Sequence, residues 1–595
     1  MVATIGRMSA GSGYEYLTGA VTTGTHDYYA GNGEAPGQWF GAGTVRLGLA
    51  GEVQPEQMAA LFGQFLDPRT VDVQNINGHM AVRPAVDAAG RPVTPVRLGA
   101  KPYDFSKSKQ DGATKAAVAG FDVQFAPSKS VSAMWALSDE PARRRIEAAH
   151  EQSISVAFGY LEQHTLFARA GRDGVRQVDA EGFIVARYRH RTSRNGDPQL
   201  HTHCAVLNRV WCHDAQKWRT IDGTELYRHK VAVGAVYARE FEERLVAEFG
   251  VMFDGDAASG FREVSGIDPA LTKQWSSRRT EISEHYTSLA AEHRAIHGEL
   301  TRDQRAALLQ KATTDTRRPK TGGALHERWS VEAGAVNRDA VHRLTHRERR
   351  PATVKAAAAM DNTAEVVKQI VERVSMERST FYRAHVAAIA GQLLPEWTAG
   401  TGSVTARMEQ LTAAAVDQRA LVPISIVMPT PNPPDVLRRR SGESQFDGHG
   451  ARKFSTLAVM NAEERIVQLA ERAGAPVLDL VHVARVIEVT EAKAGRQLGS
   501  DQLAAVHALT MGEWWLTTVI GPAGTGKTTM LQSVVAAYHQ ADRQVYGLSL
   551  SQNADPGPRG RDGREFEEHC PVVHRRTRRA RCPRRPQTRP QARPG

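Results

Sequence analysis

The sequence predicts an α+β protein: an antiparallel sheet with flanking helices, followed by a helical region and an incomplete α/β phosphate-loop domain. Three observations carry that expectation. In Arg187–Asn208, RYRHRTSRNGDPQLHTHCAVLN, two alternating runs flank SRNGDPQ, whose Asn-Gly-Asp-Pro core is a strong turn signal, so the stretch reads as a β-hairpin. Between Phe121 and His297 short strands alternate with amphipathic helices, the pattern of one sheet covered by helices. Gly521–Thr528, GPAGTGKT, sits between an apolar run and a helical one, the context a phosphate-binding loop needs.

A chain of 595 residues implies several domains, and 41% apolar with 24% charged residues is the composition of a globular protein with sizeable cores. No run approaches the roughly eighteen apolar residues of a membrane span, and MVATIGRMSAGSG lacks the basic-then-apolar order of a signal peptide. A cytoplasmic location without membrane insertion is therefore expected. The cysteines Cys204, Cys212, Cys570 and Cys582 form no CxxC pair and no disulfide framework. Net charge is +11, but twelve arginines against five acids after Gln552 supply most of it. Local placement, more than the global sum, must argue for a polyanionic partner.

In chain order, a short helix is expected at Tyr14–Val21, then Tyr28–Tyr29 and a Gly/Pro-rich loop ending at Trp39. Val45–Leu66 reads as helix, with loop and turns from there to about Ala119. Phe121, Val123 and Phe125 alternate with Asp122 and Gln124, giving a strand with one apolar and one polar face. Pro127 ends it, and SKSVSAMWAL begins a helix that Ser128 or Ser130 could cap. Helices follow at Ala142–Gln163 and Asp268–His297; between them RTIDGTELYRHKVAVGAVYAREFEERLVAEFG reads as a turn and a long amphipathic helix, and GFREVSGI as a short strand.

The chemistry centres on the hairpin. His201 and His203 share one face of a strand, and His190 reaches that side from the neighbouring strand. Three neutral imidazoles with an open coordination position suit a divalent metal, Mg²⁺, Mn²⁺ or Zn²⁺, that must also take a substrate oxygen. Cys204 falls on the opposite face and is expected to pack. Tyr14, Tyr16, Tyr28 and Tyr29 cluster near the N-terminus, and a tyrosine attacks phosphorus once a base takes its proton. Some of the four are expected only to pack or to stack on bases. Asp122 could hold a ligating histidine or help deprotonate a tyrosine. Arg187, Arg189, Arg191 and Arg194 bracket the hairpin and are expected to meet phosphates, some of them only solvating the strand edge.

At the other end, a strand at Leu516–Ile520 and a helix at Thr528–His539 flank the phosphate loop. Gly521, Gly524 and Gly526 let backbone N–H groups cradle phosphates, Lys527 reaches the terminal phosphates of ATP, and Thr528 would ligate Mg²⁺. Past Gln552 the Arg/Pro-dominated composition argues for disorder, leaving no place for a later strand with a Mg²⁺-binding acid. A shifted reading frame or premature end is the hypothesis this break suggests.

Together the N-terminal tyrosines, GFDVQFAPSKSVS, His190 with DPQLHTHCAVLN and the phosphate loop make the chain resemble a MobF-class conjugative relaxase of the TrwC/TraI type, with a truncated superfamily 1 helicase-like region. The resemblance implies an HUH-type endonuclease: a five-stranded antiparallel sheet flanked by helices, three histidines holding the metal on which the scissile phosphate sits, and Asp122 supporting a histidine and the nucleophile. The family's nucleophile lies in the first tyrosine cluster. Here that cluster is YEY, which leaves Tyr14 and Tyr16 in competition, with Tyr16 favoured because Leu17 continues the apolar helix face, and Tyr28 as second nucleophile. The implied partner is single-stranded or hairpin plasmid origin-of-transfer DNA in a bacterial cytoplasm, with conjugation accessory and coupling proteins. The expected domains are a relaxase at 1–322, a helical connecting region at 323–422, a Pro/Gly/Arg-rich linker at 423–452, a truncated helicase-like segment at 453–553 and a disordered tail at 554–595. Two readings compete: a non-catalytic DNA-binding remnant of a decayed relaxase-helicase, and an ATP-binding helicase fragment with structural histidines. A rolling-circle initiator is disfavoured because its tyrosine would follow the histidine pair.

Overall fold

The computed structural model describes residues 3–18, 35–76, 79–100, 117–255, 262–297, 300–316, 325–346, 363–394, 402–417, 421–425, 433–522 and 525–546. Tyr28, Tyr29, Gly524 and the tail at 554–595 lie outside them. The chain divides into two compact units, 1–292 with 302–461, and 293–301 with 462–595.

The first unit is built on a five-stranded sheet of β1 (Ala3–Ser9), β2 (Gln38–Phe40), β5 (Val118–Phe125), β8 (Val185–Thr192) and β9 (Pro198–Leu207), in the order β1-β5-β9-β8-β2. Every pairing in it is antiparallel. The expected hairpin is β8–β9, with His190 opposite His201 and Tyr188 opposite His203. Gly196 takes φ +78° at its turn, a conformation open to glycine at little cost. A two-stranded ribbon, β3 (Val71–Ile76) with β4 (His79–Pro84), stands where loop was expected. A second, β6 (Phe167–Ala170) with β7 (Arg176–Asp179), precedes the hairpin.

Side-chain alternation sorts the sheet into two faces. Phe121, Val123, Phe125, Val185, Cys204 and Val206 face one core, shared with Ile154, Ala157, Phe158 and Leu161 of the Glu140–Thr165 helix and Val233, Val236 and Tyr237 of the Lys230–Phe249 helix. Asp139 caps the first of these helices, its carboxylate accepting from the Ala142 N–H at 3.0 Å. The opposite face carries Ala186, Tyr188, Ala205 and Leu207, under a thinner cover of Tyr14, Leu17, Leu47, Met58, Leu61 and Phe62. That cover is not the continuous helix expected at Val45–Leu66. Gly48 and Gly51, at φ +65° and +67°, break it into a 3₁₀ turn at Ala42–Leu47 and a short α/π stretch from Pro55 to Gly63.

Two expected boundaries also change. Packing does not break at 322/323: Trp329, on the Leu325–Thr345 helix, is 1% exposed, and its ring centroid lies 5.9 Å from that of Trp135 in the main core. Nor is 423–452 an exposed linker where it is described. Gln445 O accepts from Gln177 N at 2.7 Å, Arg439 Nη1 donates to Gln177 Oε1 at 2.9 Å, and Arg440 N donates to Asp179 Oδ2 at 2.7 Å. This strap docks on β7 through hydrogen bonds, which an apolar pattern cannot register.

In the second unit the helices Leu480–Ala494, Ser500–Met511 and Lys527–Gln540 share a small core of Val483, Val486, Val506, Met530 and Val534. The helix after the phosphate loop forms as expected, but the run Leu516–Ile520 pairs with no strand among the described residues, and Ile520 is 93% exposed. A strand gains its backbone hydrogen bonds only from a neighbour, and none is described here.

Candidate active site

Alternation along β9 and the β8–β9 register bring His190, His201 and His203 to the same place. Their ring centroids are 5.0–5.2 Å apart, and one nitrogen from each lies within 4.8 Å of the others. His190 and His201 are buried, at 4% and 6% exposure. Two outer contacts orient the rings. His203 Nδ1 donates to Asp122 Oδ2 at 2.8 Å, and His201 Nδ1 donates to the Gln199 carbonyl at 2.9 Å. Both partners only accept, so each ring carries its proton on Nδ1 and keeps the Nε2 lone pair for a ligand. With His190 beside these two oriented rings, the cluster fits a divalent cation.

Asp122 sits on β5 opposite Ala205, one strand over from the histidines and on the same face. Its Oδ2 takes a second hydrogen bond, from the Tyr16 hydroxyl at 2.6 Å. Tyr16, on the Glu15–Thr18 turn of helix, is 44% exposed, and its ring stands edge-on to His203 at 6.0 Å. Tyr14 is 3% exposed in the thin core, and burial, then the Glu15 charge, raises its phenol above the ordinary value. Among the described tyrosines of the cluster, the structure sets Tyr16 beside the histidines and Tyr14 in packing.

The arginines of β8, expected to meet phosphates, instead pair with acids of a neighbouring helix. Arg187, Arg189 and Arg191 have the opposite parity to His190 and project to the helix-covered face. Arg189 pairs with Glu147 at 3.1 Å and also with Glu151, Arg191 with Glu147 at 3.4 Å, and Arg187 with Glu151 at 3.9 Å. Their side chains are only 10–17% exposed, so they tie β8 to the Glu140–Thr165 helix instead of meeting DNA. Cys204 is fully buried on that same face, and its thiol is pushed up by burial, as packing requires.

Other groups had no distinct sequence signal. The turn between the histidine strands is gripped from outside: Gly196 O accepts from Trp329 Nε1 at 3.0 Å and from Arg328, and Asp197 Oδ2 accepts from Ser277 Oγ at 2.8 Å. Ser128 occupies the N-cap of the Lys129–Leu137 helix, yet its hydroxyl makes no cap bond; Glu263 Oε2 accepts from Ser130 N at 3.0 Å instead.

At the phosphate loop, Gly526 takes φ +74°, and Gln502 Nε2 donates to Thr525 O at 2.8 Å. Lys527 Nζ is turned onto its own loop, 2.6 Å from both Gly521 O and Pro522 O, while Thr528 is exposed.

Sheet and site define a class: an α+β protein with a three-histidine cluster and a phenol–carboxylate pair on one sheet face. The chain belongs to the TrwC relaxase family, whose model matches residues 10–336, more than half of its length. An AAA domain model matches residues 497–557. The multifunctional conjugation protein TraI of Escherichia coli is 28% identical over 286 residues, covering 46% of this chain. TraI of strain K12 is 28% identical over 269 residues, covering 44%. The chain spans only 13% of the length of either relative. Among solved structures, the conjugative relaxase TrwC with oriT DNA, copper-bound, aligns at 22% identity and TM-score 0.40, covering 56% of this chain and 98% of that one. The metal-bound TrwC–oriT complex aligns at 22% identity and TM-score 0.40, covering 56% and 97%.

Proposed function

We propose that this chain is a DNA relaxase, making a site- and strand-specific nick in plasmid origin-of-transfer DNA by tyrosine transesterification. The observation that carries the reading is the shared carboxylate: Asp122 Oδ2 accepts at once from Tyr16 and from His203. His190, His201 and His203 would hold a divalent ion, which supplies charge stabilisation to the non-bridging oxygens of a bound phosphate. Asp122 takes the Tyr16 proton, and the phenolate oxygen attacks phosphorus. The bond to the 3′-oxygen breaks, that oxygen takes a proton from water, and the strand is left as a 5′-phosphotyrosyl enzyme with a free 3′-OH. One phosphodiester replaces another, so no ATP is consumed and the link is kept for religation. The TrwC relatives are described in complex with oriT DNA and with metal, and TraI as a conjugation protein, which supports the same substrate class and metal for this chain.

The helicase-like part is read as inactive. Its lysine is spent on loop carbonyls, and Leu516–Ile520 has no sheet around it among the described residues. No described helix is long and apolar enough to cross a membrane.

The test is a denaturing gel of the full chain with a labelled origin-of-transfer oligonucleotide, with Mn²⁺ and with EDTA. A covalent adduct is expected with metal, none with EDTA and none in Tyr16→Phe. Full adduct formation by Tyr16→Phe would move the nucleophile to another tyrosine. No adduct from any metal-loaded form would favour the non-catalytic remnant.

A further inference from the structure

The register of the histidine hairpin slips once, and the slip falls beside a metal ligand. His190 lies opposite His201, yet Thr192 lies opposite Pro198, so Arg191 alone faces both Gln199 and Leu200. This is a β-bulge with the additional residue on β9. Partners across a ladder share a face, so the slip decides where His201 points. Had the Thr192–Pro198 register continued, Leu200 would lie opposite His190, and His201 would turn to the helix-covered face. The turn has no freedom to undo this. Ser193 N donates to Asp197 O at 2.9 Å, and Ser277, Arg328 and Trp329 grip Asp197 and Gly196 from outside. The bulge therefore brings His201 to the side of His190 and His203. Gln199, one of its two residues, also supplies the carbonyl that accepts from His201 Nδ1 at 2.9 Å.

A bulge disrupts the ladder locally, and buried backbone groups there need other partners. Two side chains of the Lys129–Leu137 helix supply them. Lys129 Nζ donates to Pro198 O at 2.6 Å, and Ser132 Oγ accepts from Leu200 N at 3.3 Å. Three residues apart, they share one face of that helix. Ser132 is 1% exposed and Leu200 fully buried, so water cannot stand in for either partner. Both contacts come from SKSVSAMWAL, a stretch with no direct part in the proposed transesterification.

We propose, resting on the metal reading of the three histidines, that Lys129 and Ser132 are positioning residues: they hold the Gln199–Leu200 bulge that aims His201 at the cation. Calorimetry measures Mn²⁺ binding to the full chain, and electron paramagnetic resonance reads Cu²⁺ in the same centre. Lys129→Met and Ser132→Ala, each checked for melting, are expected to weaken Mn²⁺ binding about tenfold, the low end for loss of an outer partner. Their Cu²⁺ spectra should shift toward that of His201→Ala, since a misdirected imidazole leaves one nitrogen fewer on the metal. Lys129→Arg keeps a donor and should retain both readouts. Ser153→Ala, which removes a buried hydroxyl bonded to its own helix at Ala149 O, should change neither. Unchanged affinity and spectrum in Lys129→Met and Ser132→Ala overturn the assignment, as does an equal loss in Ser153→Ala. Should Ser132→Ala melt below the assay temperature, Lys129→Met alone decides. If the unaltered chain takes up no metal, the three-histidine centre fails and the bulge assignment with it; metal uptake with insensitive variants sinks only the latter.

Discussion

A single carboxylate oxygen, Asp122 Oδ2, couples the proposed nucleophile to the proposed metal ligands, because Tyr16 and His203 both donate to it. Replacing the acid by its amide leaves the shape but removes the base and the strong acceptor. Asp122→Asn is therefore expected to slow adduct formation about 10²–10⁴-fold. It should also weaken Mn²⁺ binding about 10–100-fold, measured by calorimetry, as loss of a histidine's outer partner does. Unchanged metal affinity would separate Asp122 from the imidazole cluster. A second prediction concerns His150, buried between Tyr237 Oη at 2.7 Å and Thr202 Oγ1 at 2.8 Å. Burial first, then the Arg189 and Arg187 charges, lowers its pKa from 6.5 to about 3. The fold thus holds this ring neutral, whereas the unfolded chain takes up a proton below pH 6.5. Its stabilising contribution is complete above that pH and is lost as pH falls toward 3. Melting temperature should drop on acidification through this window, less steeply in His150→Gln; equal slopes would rule His150 out as a cause.

At the scale of elements, the Leu325–Thr345 helix matters most, because Trp329 and Arg328 hold the carbonyl of Gly196 in the turn joining the two histidine strands. Truncating a buried tryptophan costs about 3–5 kcal/mol. Trp329→Ala should lower chemical-denaturation stability by that amount, and a chain ending at residue 322 should lose more. A truncated chain with the full chain's midpoint would show the helix to be dispensable. The reading of elements from sequence succeeded where one periodicity covered a whole element, as in β8, β9 and the Glu140–Thr165 helix. It failed at Val45–Leu66, where glycines at positive φ interrupt an apolar run, and at β3–β4, where the alternation of Val71 and Val73 stops after four residues.

Across the molecule the residues of the proposed nicking site and the phosphate loop belong to separate compact units. Lys527→Ala is expected to leave adduct formation unchanged, and the unaltered chain should give no heat with Mg·ATP in calorimetry. Tight ATP binding by the unaltered chain would overturn the inactive-helicase reading. Residues of the first unit beyond 322 are part of its fold, since the main core runs on through Trp329, Val367, Val386 and Leu421.

By itself the sequence determined the hairpin, the shared face of His201 and His203, the phosphate-loop motif and the family, because spacing and turn chemistry are local properties of the chain. Even the inward course of Arg187, Arg189 and Arg191 was present as parity, since they alternate with His190. Only the tertiary structure decided between Tyr14 and Tyr16 as neighbours of Asp122, turned those arginines onto Glu147 and Glu151, and docked the strap on Gln177 and Asp179 of β7. These depend on contacts between segments far apart in the chain, and no spacing encodes which polar partner a folded surface will present.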